Sequence, residues 1–348
     1  MTPATQVPHG TATMTRGMVL LFAFCCGAIV ANIYYAQPII GLIAPDIGLT
    51  STMASLIVSL TQIGYALGLF FLVPLGDLLE NRRLMIITTL VAIASLLGAA
   101  FTDQPNVFLL ISLLVGFSSV SVQILIPLAA HLAPEESRGR VVGGIMGGLL
   151  LGILLARPVS SVVADHFGWR AMFVIAALLM AAISIVLALT IPKRQPDHSA
   201  SYGQLLGSLW TLLRQQPVLR QRAFYQGCMF ATFSLFWTAV PLELARNHGL
   251  SQSQIAIFAL VGAIGAIAAP IAGRLADAGH TRSASLLALL FASLSFLPAF
   301  IHPAYSVIGL AVTGDKRLDA LPDAPTFAEA GLPAGDAGTW QGVLTTAG

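Results

Sequence analysis

Nine stretches of this chain are long and apolar enough to cross the roughly 30 Å hydrocarbon layer of a bilayer. They run over 17–43, 52–75, 84–101, 106–132, 141–164, 169–191, 220–245, 253–276 and 283–301. Nothing else in the sequence constrains the fold as strongly. No water is present in the bilayer core, so each run must satisfy its own backbone hydrogen bonds, and a helix does that within one segment. The expected class is therefore an all-α integral membrane protein. Composition excludes the soluble alternative, because 9% of the residues are charged against about 25% in soluble domains. A formal net charge of +2 gives no reason to expect a nucleic-acid partner. Cys25, Cys26 and Cys228 fall inside apolar runs, which predicts free thiols buried in the membrane and no disulfide framework. The first run is long and lacks a small-x-small exit, so it reads as a retained span and not a signal peptide.

Basic residues orient the bundle. With the amino terminus inside, the inner segments hold Arg16, Arg82, Arg83, Arg138, Arg140, Lys193, Arg194, Arg214, Arg220, Arg222, Arg274 and Arg282. The outer connections hold Arg170 and Arg246, and twelve against two is a strong positive-inside signal. The polar segment 192–219 follows the sixth span and reads as a cytoplasmic linker; its "YGQLLGSLWTLL" suits either a short amphipathic helix on the inner leaflet or a plain solvated connection. The expected organisation is a cytoplasmic tail (1–16), a first six-helix half (17–191), the linker (192–219), a second half shortened to three helices (220–303), and a junction with a non-membrane tail (304–348). Asp77 in "PLGDLLENRR" and Asp277 in "AGRLADAGHTR" each close the second span of a half, a repeat of the kind from which transporters are built.

With "ANIYYAQP" in the first span, "GRLADAG" and its looser copy "PLGDLLENRR", and the helix entries "APEESRGRVVGG" and "FGWRAMF", residues 16–303 resemble the major facilitator superfamily, in particular its bacterial efflux permeases. The resemblance implies transport of a small molecule, not an enzyme activity, at a bacterial inner membrane, with neither cofactor nor metal. It assigns a gating role to Asp77, Arg82, Arg83, Gly273 and Asp277, although Leu78 and Ala278 stand where a basic residue usually follows the signature aspartate. The fourth span has Ser112 where motif-bearing relatives carry an arginine four residues before Gly116, so a role in proton coupling does not transfer. The fifth-span glycine signature survives in Gly143 and Gly152, but Arg157 takes the place of its proline.

Arg157 is the most informative single residue. At 100° per residue, Gly144, Gly148, Gly152 and Ala156 form one drifting stripe, and small residues there let two membrane helices approach closely. Nine residues from Gly148, Arg157 lies half a turn away, facing lipid or a central cavity. Lipid exposure costs at least about 2.5–3.5 kcal/mol, which favours a cavity-lining arginine over one that snorkels to the surface. Pro158, directly behind it, invites a kink. Asn32, Tyr35, Gln37, Gln62, Tyr65, Gln123, Gln226 and Trp237 are further polar candidates; each suits a helix–helix hydrogen bond as well as a substrate contact. The architecture implied by the resemblance ranks Asn32, Gln123 and Gln226 first. Tyr34, Tyr35 and Trp169 read equally as aromatics at the membrane–water interface. Glu243 suits an interfacial residue facing Arg246 better than a proton carrier. An arginine in the cavity leans toward anionic or carbonyl-bearing substrates, bound by a monomer embedded in lipid.

From Leu310 the composition changes: five of the fifteen acidic residues fall in 39 positions without a span. "LAVTGDKR", "LPDAPTFAEAGLP" and "TWQGVL" resemble part of the periplasmic solute-binding receptors of tripartite tricarboxylate transport systems. The expected function is thus that of an efflux permease, chimeric, truncated and inactive as written. A non-transporting remnant and a membrane-anchored carboxylate-binding module are the alternatives.

Overall fold

A computed structural model of the chain describes residues 15–134, 138–191, 201–247 and 249–261, and five positions between 283 and 294. Its α-helices are α1 (Arg16–Ala31), α2 (Ile40–Asp46), α3 (Ser51–Ala54), α4 (Leu56–Phe71), α5 (Asn81–Phe101), α6 (Pro105–Ser118), α7 (Ser121–Leu132), α8 (Arg138–Phe167), α9 (Trp169–Thr190), α10 (Tyr202–Gln215), α11 (Pro217–Asn247) and α12 (Gln252–Val261). Single 3₁₀ turns cover Gln37–Ile39 and Val73–Asp77. Among the described residues, six helical segments are long and apolar enough to cross a membrane: Leu56–Asp77, Asn81–Phe101, Pro105–Leu132, Val141–Phe167, Trp169–Thr190 and Pro217–Arg246. The all-α membrane class holds. The eighth expected span begins as α12; its remainder, most of the ninth, Gly273, Asp277 and the tail 310–348 lie outside the described residues.

Two expected spans, the first and the fourth, are helices broken well inside their length. The first ends at Ala31, turns over Asn32–Ala36 and resumes at Gln37. Pro38 is the physical reason: it has no N–H for the ladder, and its ring crowds the carbonyl four residues back. The fourth breaks between α6 and α7. There the Ser118 and Ser119 hydroxyls fold back on the carbonyls of Leu114 and Val115, each at 2.7 Å, offering the backbone an alternative to the helical ladder.

Two helix crossings are drawn tight by glycine. Where α1 meets α8, a methyl added at Gly27 would lie 2.5 Å from the Gly148 carbonyl oxygen, and one at Gly152 would strike the Gly27 backbone. Gly144 is looser, facing the Val19 side chain. The α4–α6 crossing is equally close: Gly64 faces the Leu113 carbonyl, Gly116 faces that of Thr61, and a methyl at Gly68 would lie 2.5 Å from the Phe117 oxygen. The "GYALG" spacing of Gly64 and Gly68 carries this second crossing in the sequence.

The turn between α8 and α9 is the single residue Gly168, whose φ of 81° suits a glycine. Beside it, the Trp169 ring wedges edge-on between Phe108 and Phe173. In the expected linker, α10 opens with a capping box between Ser201 and Gln204. The Tyr202 hydroxyl donates to the Phe71 carbonyl at 2.8 Å, pinning α10 to the end of α4. Leu209, Trp210, Leu212 and Leu213 of α10 are exposed. Helix α11 then starts at Pro217, three residues before the expected 220.

Candidate functional site

Helix α8 carries Arg157 into the interior, where the residue is 1% exposed. Its guanidinium carbon lies 4.7 Å from the ring centre of Tyr34, 5.0 Å from Phe233 and 4.4 Å from Trp237. Tyr34 comes from the break in the first span, and the other two rings come from α11. A desolvated cation over an aromatic face gains about 2 kcal/mol or more per favourable contact, so the cage offsets part of the cost of burial. The edges are bonded unevenly. Nε donates to Gln37 Oε1 at 3.1 Å, and one Nη donates to the Ile153 carbonyl at 3.1 Å. The other Nη and Gln37 Nε2 are buried with no hydrogen-bond partner among the described residues. Below the guanidinium, Ser160 Oγ donates to the Tyr35 carbonyl at 2.6 Å.

This placement corrects the straight-helix projection. The snorkelling alternative fails, because Arg157 is enclosed. Facing away from the glycine stripe does not mean facing a different neighbour either. The first span bends at Asn32–Ala36, so Gly148 and Gly152 meet its lower segment while Arg157 meets Tyr34 and Gln37 beyond the bend. Tyr34, Tyr35 and Trp169 are all buried within the protein. Trp169 Nε1 donates to Asp46 at 3.0 Å.

The other candidates separate into groups. Asn32 is 3% exposed, and both its amide atoms are unpartnered among the described residues. Gln123 Nε2 donates to the Tyr65 hydroxyl at 3.2 Å, joining α7 to α4. Gln62 is half-buried with Nε2 unpartnered among the described residues, and Gln226 is partly exposed on α11. Asp77 and Arg83 are exposed and Arg82 is intermediate. Cys25 and Cys26 are buried free thiols, while Cys228 is exposed on the protein surface and Glu243 is exposed on α11.

At the end of the bundle where α8 meets α9, a second arginine is held differently. Arg170 pairs with Asp46 and, at 2.5 Å, with Asp103, and its guanidinium lies 4.2 Å from the Trp169 ring. Hydrogen bonds from Arg170 and Trp169 hold the Asp46 carboxyl below its ordinary range. At the same end, Asp165 on α8 accepts a hydrogen bond from Ser253 on α12.

A bundle of membrane-length apolar helices, two of them interrupted, closing over an enclosed guanidinium has the architecture of a secondary transporter. The chain belongs to the Major Facilitator Superfamily, which it matches over residues 19–314, a family of transporters and not of enzymes. It is 42% identical over 286 residues to YgaY of Escherichia coli (strain K12), named an uncharacterized transporter, a match covering 82% of this chain and 72% of the relative. It is 35% identical over 301 residues to SCO4007 of Streptomyces coelicolor, named a probable transporter, covering 85% and 70%. The fold aligns at a TM-score of 0.66 and 14% identity with a bacterial homolog of the human lysosomal transporter Spinster, solved in an inward-facing and unoccupied conformation, over 94% of this chain and 72% of that one. These matches give no support to a receptor-like fragment at 310–348, nor to a chimeric or truncated chain.

Proposed function

We propose that the chain exports a small molecule across a bacterial inner membrane by alternating access, and that Arg157 in its cage bolts one side of the transport path shut. Residues 17–191 form one moving half and the segment from 220 onward the other. The observation that carries this reading is the origin of the cage: Arg157, Tyr34 and Gln37 belong to the first half, Phe233 and Trp237 to the second. The halves cannot part along this seam without stripping two rings from a buried cation. The basic-residue distribution puts the amino terminus inside, so α8 runs outward and the bolt lies toward the outer face. The inward-facing conformation of the Spinster homolog supports the same assignment.

Two experiments test it. Reporter fusions after Gln195 and Gly249 should report the cytoplasm and the periplasm respectively; the reverse assignment, or a shared compartment, overturns the orientation. For the bolt, Ser161→Cys is introduced into a chain freed of Cys25, Cys26 and Cys228. A membrane-impermeant thiol reagent applied from outside should label it several-fold faster when Arg157→Ala is added. Equal labelling with and without Arg157 overturns the bolt.

A further inference from the structure

The Arg157–Gln37 pair has hydrogen-bonding capacity that the closed protein does not use. An arginine carries five N–H donors. Here Nε serves Gln37 and one Nη serves Ile153, leaving both hydrogens of the other Nη without a partner among the described residues. Gln37 repeats the pattern: its oxygen is taken by Arg157, and its amide nitrogen is buried and unpartnered. The unused groups on this pair are therefore all donors, carried by two side chains that share one hydrogen bond. Among the described residues, the groups against the cation are two phenyl-type rings, an indole, an amide and a backbone carbonyl, all neutral. A buried cation normally faces a counter-ion.

We infer that this site takes the carboxylate of a small organic monoanion with a flat apolar body, its two oxygens accepting from the free Arg157 Nη and from Gln37 Nε2. The geometry of a guanidinium edge beside an amide N–H₂ matches a planar acceptor with two oxygens better than a single carbonyl. Tyr34, which stays on the guanidinium when the halves part, supplies the surface for the apolar body.

The inference rests on the bolt described above and explains how it opens. When the second half moves away, Phe233 and Trp237 leave Arg157 with Tyr34 alone. A carboxylate arriving at the free edge supplies the stabilisation that the two rings withdraw. A ligand shifts a conformational equilibrium only through its differential affinity for the two states. Here the difference is built in, because the site is enclosed in one state and accessible in the other.

The test uses the purified 348-residue chain in detergent and isothermal titration calorimetry, with benzoate, benzamide, benzyl alcohol and benzylamine as probes. Benzoate should bind, and the two neutral analogues and the cation should bind at least about tenfold more weakly, as expected when a charge-assisted bidentate contact is lost. Arg157→Lys should weaken benzoate by about tenfold, because an ammonium cannot present the fork. Gln37→Leu should weaken it by a smaller factor and leave benzamide unchanged. Benzamide or benzylamine binding as tightly as benzoate overturns the inference, as does benzoate binding that survives both substitutions. The two readings fail separately. Thiol labelling that responds to Arg157→Ala while benzoate does not bind retains the bolt and removes the carboxylate. Labelling that ignores Arg157 removes the bolt whatever benzoate does.

Discussion

Arg157 and Arg170 both lay a guanidinium over a tryptophan, at 4.4 Å and 4.2 Å, yet one is enclosed and the other sits at the end of the bundle. Arg170 is clasped by two carboxylates, Asp46 and Asp103, with its side chain about a third exposed. Arg157 has three rings, one amide and one carbonyl, and no carboxylate in contact among the described residues. At the end of the bundle water screens the charges, and a clasp of this kind contributes little to stability. In the interior a fixed carboxylate would neutralise Arg157 permanently and lock the two segments together. Rings stabilise the cation while leaving its edge available. The same contact thus acts as a fixed clasp in one place and a releasable one in the other.

Removing the tryptophans sharpens this contrast most. Both are buried, so Trp237→Ala and Trp169→Ala should each cost about 3–5 kcal/mol in unfolding experiments in detergent. Only Trp237→Ala should also speed labelling at position 161; equal acceleration by both would make the two arginines equivalent. Gly152→Ala comes next. The added methyl strikes the Gly27 backbone, and overpacking of this kind costs about 1–3 kcal/mol, whereas Gly144→Ala, facing a movable Val19 side chain, should cost less in the same measurement. Ionic strength should act on one arginine alone. At about 1 M salt, where the screening length falls to about 3 Å, the effect of Arg170→Ala on the melting temperature should shrink and that of Arg157→Ala should persist.

The smallest effect concerns pH. Because Asp46 titrates lower in the folded chain than in the unfolded one, its stabilising contribution is complete above about pH 3.9 and is lost as the pH falls through the depressed value. Asp46→Asn should therefore lower the melting temperature by a small, nearly constant amount above about pH 4 and make no difference in acid, where the wild-type carboxyl is itself protonated. A large shift at pH 7 would show that the clasp does more than a surface pair.

Much of this was legible in the sequence, and the rest was hidden for physical reasons. The apolar runs betray the membrane helices because hydrocarbon tolerates little else, and an arginine among leucines betrays an interior site because lipid would not accept it. The partners of Arg157 were harder to find. Gln37 lies 120 positions away in the chain, and no periodicity connects two helices before their crossing is known. The bend at Asn32–Ala36 misled the helical projection, since 100° per residue holds only while the ladder is unbroken. Trp169 shows a similar limit: an exposed and a packed tryptophan look alike in the sequence until the Phe108 and Phe173 rings are seen around it.

The contact between Gly27 and Gly152 also bears on how this protein can change over generations. At most packed positions an enlarged side chain can be accommodated when its neighbour shrinks, and lineages drift through such paired exchanges. Here backbone meets backbone, and neither residue has anything left to surrender. No second change at the facing position can rescue the first. Gly98 is freer, because a methyl there would meet the mobile end of Ile111 at 3.0 Å and isoleucine can be traded for something smaller. Descendants of this chain should vary at position 98 while keeping 27 and 152 fixed.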